Sequence, residues 1–182
     1  MQVIPTKIKD VLIIEPNYFP DGRGFFMEAF QKERYAQAGI DLPFIQDNHS
    51  GSRKGVLRGL HYQIEHPQGK LVRVVKGTVY DVAVDLRKSS STFGQHVGVI
   101  LSEENHKQLW VPPGFAHGFY VLSDWAEFIY KVTDIYFPKG ERSILWDDPE
   151  LNIEWPQEVQ TEVLLSEKDA EGVSFRDAEY FD

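Results

Sequence analysis

The stretch that decides the fold runs from Val56 to Phe137, where short β-prone runs alternate with turn signals: VLRGLHYQ (56–63), KLVRVVKG (70–77), TVYDVAVDL (78–86), HVGVILS (96–102), KQLWVPPG (107–114), HGFYVLS (117–123) and AEFIYKVTDIYF (126–137). Runs of this length at this spacing predict an antiparallel sandwich or barrel, because tight turns can join only antiparallel neighbours. The separators act by known physics. HPQG (His66 to Gly69) joins the first two strands, Lys76-Gly77 punctuates the next pair, and PPG (Pro112 to Gly114) ends a strand that proline cannot continue. Outside this stretch, FFMEAF (Phe25 to Phe30) reads as extended and QKERYAQAG (31–39) as a short helix closed by Gly39. In LLSEKDAEG, Ser166 followed three residues later by Asp169 marks a helix start, and the acidic end reads as a surface tail.

The 182 residues, 42% of them hydrophobic, suffice for one domain, 1–182, and show no repeat, linker or low-complexity segment. No apolar run is long enough to cross a bilayer, and MQVIPTKIKDVLIIEP lacks the apolar block of a cleavable signal, so a cytoplasmic protein with no membrane partner is expected. The absence of cysteine removes disulfides, thiolate metal sites and thiol nucleophiles. A formal charge of -9 with no basic run argues against nucleic-acid binding. An anionic small ligand remains compatible, since a few cations at close range outweigh a distant, screened acidic surface.

RKGVLRGLHYQIEHPQGKLVRV (53–74) places Arg58, His61 and Lys70 on two strands joined by a turn. A histidine exchanges protons near neutral pH, and a nearby lysine can hold an oxygen on which charge develops. From composition alone, the commoner fate of such a histidine is to fill a half-buried strand position. Strict alternation puts His61 with Leu57, Gly59 and Gln63 on one face and Arg58 with Leu60 and Tyr62 on the other, so Arg58 and His61 share a pocket only if Gly59 forms a bulge. In AEFIYKVTDIYFP the same period aligns Phe128, Tyr130, Val132, Asp134 and Tyr136. A phenol there serves equally as a packing group or as a neutral proton donor.

PPGFAHGF (112–119) contains a tight turn that aims His117 inward and resembles the second cupin motif. Metal-binding cupins pair that histidine with a His-x-His on an earlier strand. Here the earlier stretch is LHYQ, so Gln63 stands where a second histidine is needed, and His61 with His117 alone make a poor metal shell. Asp169 reads either as the third helical residue of a capping box or as a carboxylate orienting a histidine. His49, His66, His96 and His106 read as ordinary surface or turn residues.

DGRGFFMEAF (21–30), FIQDNHS (44–50), GVLRGLHYQ (55–63), PQGKLVRVVKGTVYDVAVDLRKSSSTFG (67–94), PPGFAHGF, YKVTDIYFP (130–138) and LSEKDA (165–170) together resemble the dTDP-4-dehydrorhamnose 3,5-epimerase family over nearly the whole chain. The resemblance implies a mainly β, cupin-type jelly-roll antiparallel barrel with a few short helices. It further implies a homodimer that needs no metal or cofactor and acts on a dTDP-sugar, inverting dTDP-4-dehydro-6-deoxy-D-glucose at C3 and C5. By the same resemblance His61 is the base, Asp169 its carboxylate partner, Tyr130 the acid on the opposite face of the sugar, and Lys70 a stabiliser of the enolate oxygen. Arg23, Glu28, Gln46, Asp47, Asn48, Arg58, Lys70, His117, Glu141 and Lys168 fall at the family's ligand-contacting positions, and Tyr136 is a further candidate. Arg23 and Glu28 belong to a segment that in the family can serve the neighbouring subunit. Lys168 stands where arginine is also accepted, which preserves charge but not a guanidinium fork. Rival readings are a mono-epimerase or ketoisomerase on the same scaffold and a catalytically silent nucleotide-sugar-binding cupin. A metal-dependent cupin is disfavoured by Gln63.

Overall fold

Alternation along the strand Thr78–Asp85 sets the layering: Val79 and Ala83 join one apolar cluster, Val82 and Val84 another, and all four are fully buried. A strand buried on both sides needs cover on both. A second sheet supplies one cover, and the C-terminal segment supplies the other through Leu151, Phe175 and Ala178.

The computed structural model describes residues 1–156 and 163–182. One sheet has six strands in the order β1 (Gln2–Pro5), β2 (Leu12–Glu15), β10 (Gln108–Val111), β7 (Lys70–Lys76), β12 (Trp125–Val132) and β5 (Gln46–Arg53). The other has five, ordered β13 (Glu141–Ser143), β6 (Leu57–Gln63), β11 (Phe115–Val121), β8 (Thr78–Asp85) and β9 (His96–Ser102). Every neighbouring pair is antiparallel, and the two sheets enclose the main core, as expected of a jelly roll. A hairpin of β3 (Tyr18–Asp21) and β4 (Gly24–Met27) pairs only with itself among the strands described. The helix α1 (Lys32–Gln37) packs Tyr35 with Ile14, Leu71 and Trp110 on the outer side of the six-stranded sheet, and Gly39 turns the chain at φ +88°. The helix α2 (Glu167–Ala170) begins at Ser166, whose hydroxyl accepts from the Asp169 N–H. Among the described residues no helix is long and apolar enough to cross a membrane.

Three features depart from the sequence reading. The last strand of the motif region stops at Val132 and does not continue to Phe137. There the chain is drawn aside by the Gln63 amide, which donates to Ile135 O and accepts from Phe137 N, and by Gln68, which donates to Asp134 O. Asp134 and Tyr136 therefore do not follow Tyr130 in strand alternation, and Tyr136 is 51% exposed. Secondly, β1, β2 and β5 carry no clear period in the sequence. β5 is QDNHSGSR, polar throughout, yet it pairs with β12 over eight residues. Thirdly, the acidic end is no free tail: Phe175 and Ala178 are buried, and Phe181 bridges to Arg87.

Gly59 is the local key to the site. Between the pairs His117↔His61 and Phe119↔Arg58, two steps along β11 span three along β6, which is a bulge. Gly59 sits there at φ +113°, and a Cβ would lie 2.6 Å from Gly118 Cα and from His117 O. We expect Gly59→Ala to destabilise the protein by about 2 kcal/mol or more, since strain and a backbone clash act together. Urea unfolding checks this, and a wild-type midpoint would refute it.

Candidate active site

The bulge sends both Arg58 and His61 into the space between the sheets. They line a cavity of about 170 Å3 with Ser50, Lys70, His117, Gly118, Phe119, Phe128 and Tyr130. Each side chain has a structural reason to be there. Lys70 precedes Val72 and Val74 on the core face of β7, and Tyr130 follows Phe128 on that of β12. The pairs Phe128↔Ser50 and Tyr130↔Asn48 put the polar residues of β5 beside them. β5 lacks an apolar period because one of its faces serves this polar wall.

His61 Nε2 lies 2.6 Å from Asp169 Oδ1, a close contact bent away from a straight hydrogen-bond line. The same Oδ1 accepts from Gly59 N at 3.0 Å, and Oδ2 accepts from the Ser166 hydroxyl at 2.6 Å. Asp169 is 4% exposed. Burial pushes its carboxyl up, but the bonds from His61, Ser166 and Gly59 outweigh that and leave it lowered to about 2. Ser166 caps the helix through its hydroxyl, and the Asp169 carboxylate accepts from that hydroxyl while it contacts the histidine.

A second histidine–carboxylate pair lies on the same wall of the cavity, on β11 next to β6 and on β8 beyond it. His117 Nε2 is 3.0 Å from both oxygens of Asp81, which is fully buried. Sequence reading missed Asp81, although an acid flanked by apolar residues in TVYDVAVDL, on the face of Val79 and Ala83, was a usable signal. Burial pushes the Lys70 ammonium down to about 8, against the pull of Asp81 and Glu141. Burial also raises the Tyr130 phenol, with Arg58 opposing and Glu141 reinforcing. Arg58 Nε donates to Ser52 Oγ.

A second cluster links other candidates. Glu141 accepts from the Tyr136 hydroxyl at 2.7 Å and pairs with Lys168 Nζ at 2.5 Å, joining β13, the segment after β12, and α2. Burial pushes Glu141 up, but Lys168, Tyr136 and His61 leave it lowered.

The remaining candidates separate. Gln46 donates to Asn48 on the Tyr130 side of β5, whereas Asp47 alternates to the outer face and pairs with Lys131 at 2.9 Å. Arg23 is at the tip of the β3–β4 hairpin, its side chain 90% exposed and paired with Asp21, and Glu28 pairs with Arg34. Neither lines the cavity of its own chain. The hairpin also exposes Phe19, Phe25 and Phe26. Larger hollows lie elsewhere, one of about 520 Å3 between Phe30, Arg73, Ile129 and Lys131 on the outer face of the six-stranded sheet, but it lacks a convergent set of proton-transfer groups.

Among the described residues no three His, Asp or Glu side chains converge as a metal-binding set, and Gln63 spends its amide on backbone groups. What the cavity can do is move protons: it holds a carboxylate-backed imidazole on one sheet and a protonated phenol on the other.

Comparison with known proteins agrees with this chemistry. The sequence model of the family described as dTDP-4-dehydrorhamnose 3,5-epimerase matches residues 5–177. A dTDP-4-dehydrorhamnose 3,5-epimerase of Shigella flexneri is 61% identical over 183 residues, spanning 100% of this chain and 99% of the relative. One from Pseudomonas aeruginosa is 56% identical over 182 residues, spanning 100% and 99%. The crystal structure of dTDP-6-deoxy-D-glucose-3,5-epimerase from Legionella pneumophila, in complex with dTDP-4-keto-L-rhamnose, superposes with a TM-score of 0.95 at 55% identity, covering 98% of this chain and 94% of that one.

The Asp169 geometry gives a sign for acid stability. Its folded pKa, about 2, lies below the ordinary 3.8, so the stabilisation is complete above the higher value and is lost as pH falls through the lower. Asp169→Asn should therefore flatten the dependence of unfolding free energy on pH between about 4 and about 2, measured by urea titration. A slope equal to wild type would contradict the assignment.

Proposed function

The chain belongs to the dTDP-4-dehydrorhamnose 3,5-epimerase family, and we propose that it inverts C3 and C5 of dTDP-4-dehydro-6-deoxy-D-glucose with His61 as base and Tyr130 as acid. The observation that carries the reading is that His61 and Tyr130 line one cavity from facing sheets, β6 and β12. Inversion demands it, because a proton removed from one face of a carbon must be replaced on the other.

The hydrogens on C3 and C5 are both alpha to the C4 ketone, so removing either leaves an enolate whose charge rests on one oxygen. A single electron sink serves both inversions. With Nε2 held against ionised Asp169, His61 accepts the proton at Nδ1, and the carboxylate stabilises the imidazolium that forms. Lys70, still cationic at neutral pH, supplies the charge for the enolate oxygen in a water-poor cavity where it acts strongly. The raised pKa keeps Tyr130 protonated until it donates, and Arg58 beside it favours the phenolate left behind. Every step uses groups of this chain, with the substrate ketone as the only electron acceptor.

A cavity of about 170 Å3 is smaller than the roughly 300–1,000 Å3 of ordinary ligand pockets and suits only the sugar end. The nucleoside diphosphate then lies at the mouth. Arg58, Lys168 and Glu141 border that region, and the exposed hairpin carries Arg23, with Glu28 just after it, toward a second subunit in the homodimer we propose. The local cations answer how an acidic chain holds a dianionic diphosphate.

Two outcomes test this. His61→Ala should slow solvent deuterium exchange at both C3 and C5 by about 100-fold or more, followed by NMR, whereas Tyr130→Phe should spare exchange more than inversion. Near-normal exchange in folded His61→Ala removes the base. Mixing inactive Arg23→Ala and His61→Ala chains should regain activity, because one hybrid site then has both residues; no regain would place Arg23 in its own subunit's site.

A further inference from the structure

Asp169 is buried, and the carboxylate has two oxygens to satisfy. Oδ1 is occupied by His61 Nε2 and Gly59 N, and Oδ2 takes the Ser166 hydroxyl at 2.6 Å. Ser166 is held in turn, since its oxygen accepts the Asp169 N–H at 3.2 Å and starts α2. We propose that Ser166 is a positioning residue for the epimerisation, fixing the Asp169 carboxylate through Oδ2 so that Oδ1 faces His61. This rests on the reading of His61 as the base.

The argument turns on what a carboxylate does when one oxygen loses its donor in a buried place. An unpaired anionic oxygen is costly there, so the group turns toward another donor. Turning about either Cβ–Cγ or Cα–Cβ shifts Oδ1 from its place against His61. The imidazole, bent off line to Asp169 already, then loses the contact that keeps its proton on Nε2 and leaves Nδ1 open. Side chains facing His61 from the other elements do not replace that contact. Glu141 on β13 is committed to Lys168 and Tyr136, Asp81 on β8 to His117, and Lys70, Arg58 and Tyr130 offer no carboxylate.

The chain contains a matched control for the serine's other role. Ser174 and Asp177 repeat the same bridge at the 3-10 turn Phe175–Asp177: Ser174 Oγ donates to Asp177 Oδ2 at 2.7 Å and accepts from Asp177 N at 3.3 Å. There the carboxylate is exposed and no histidine is attached. A serine that merely caps a turn should be equally dispensable at both places. Glycine suits the comparison because it replaces serine at a helix N-cap at small cost while removing the hydroxyl.

The test measures kcat and KM for conversion of dTDP-4-dehydro-6-deoxy-D-glucose by the full chain carrying Ser166→Gly, Ser166→Thr, Ser174→Gly or His61→Ala, with Tm recorded for each. The expected result is a fall in kcat of about 10-fold or more for Ser166→Gly, KM within about twofold of wild type, rescue by Ser166→Thr, and normal kcat in Ser174→Gly. Wild-type kcat in Ser166→Gly, or an equal loss in Ser174→Gly, overturns the serine's role while leaving His61 as base if His61→Ala is inactive. An active His61→Ala chain overturns the underlying reading and the proposal together.

Discussion

One carboxylate joins the two ends of the functional chain. Asp169 reaches from α2 to the bulge of β6, where it accepts the Gly59 N–H and meets His61. The bulge exists because Gly59 adopts a positive φ against Gly118 with no room for a side chain. Through it Arg58 and His61 enter one cavity, which regular alternation forbids. Remove either the glycine or the acid and the site loses the contact that orients His61, while α2 stays tied to the barrel by Lys168–Glu141 and by the bridge between Val56 and Leu164.

The two sheets divide the chemistry. β6, from the five-stranded sheet, carries the imidazole and Arg58, while β7 and β12, from the six-stranded sheet, carry Lys70 and the Tyr130 phenol. A jelly roll encloses its core between such sheets, so a flat ligand in the gap meets a different sheet on each face. Stereochemical inversion follows from architecture as much as from residue type. The pKa shifts point the same way: Asp169 is held ionised beside His61, and Tyr130 is held protonated on the opposite wall.

Much of this was legible in the sequence, and what was not has physical causes. The motif strands from β6 to β12 show because one or both faces are apolar, and HPQG and PPG mark their turns. β5 was invisible because its inward residues, Gln46, Asn48, Ser50 and Ser52, line a polar wall, and period-two reading looks for hydrophobic residues. The end of β12 was overrun because the Gln63 amide, a distant residue, sets where the backbone leaves the sheet. The family motifs single out His61, Asp169 and Tyr130, yet the sequence could not say that Arg58 would share a cavity with His61 and Tyr130, since that depends on a bulge. Asp81 stood in view as a lone acid in a buried strand. Asp47 shows the reverse limit: its neighbours Gln46 and Asn48 lie on the Tyr130 side of β5, and alternation sends it outward to Lys131.

The central claim is that two groups on opposite walls move protons to and from the carbons beside one ketone. Its most direct test converts dTDP-4-dehydro-6-deoxy-D-glucose in deuterium oxide with the wild-type enzyme and reads C3 and C5 by NMR at partial conversion. The account predicts deuterium at both carbons of the product, each with inverted configuration. Product that keeps its original hydrogen at either inverted carbon, as one group shuttling the same proton would give, contradicts it.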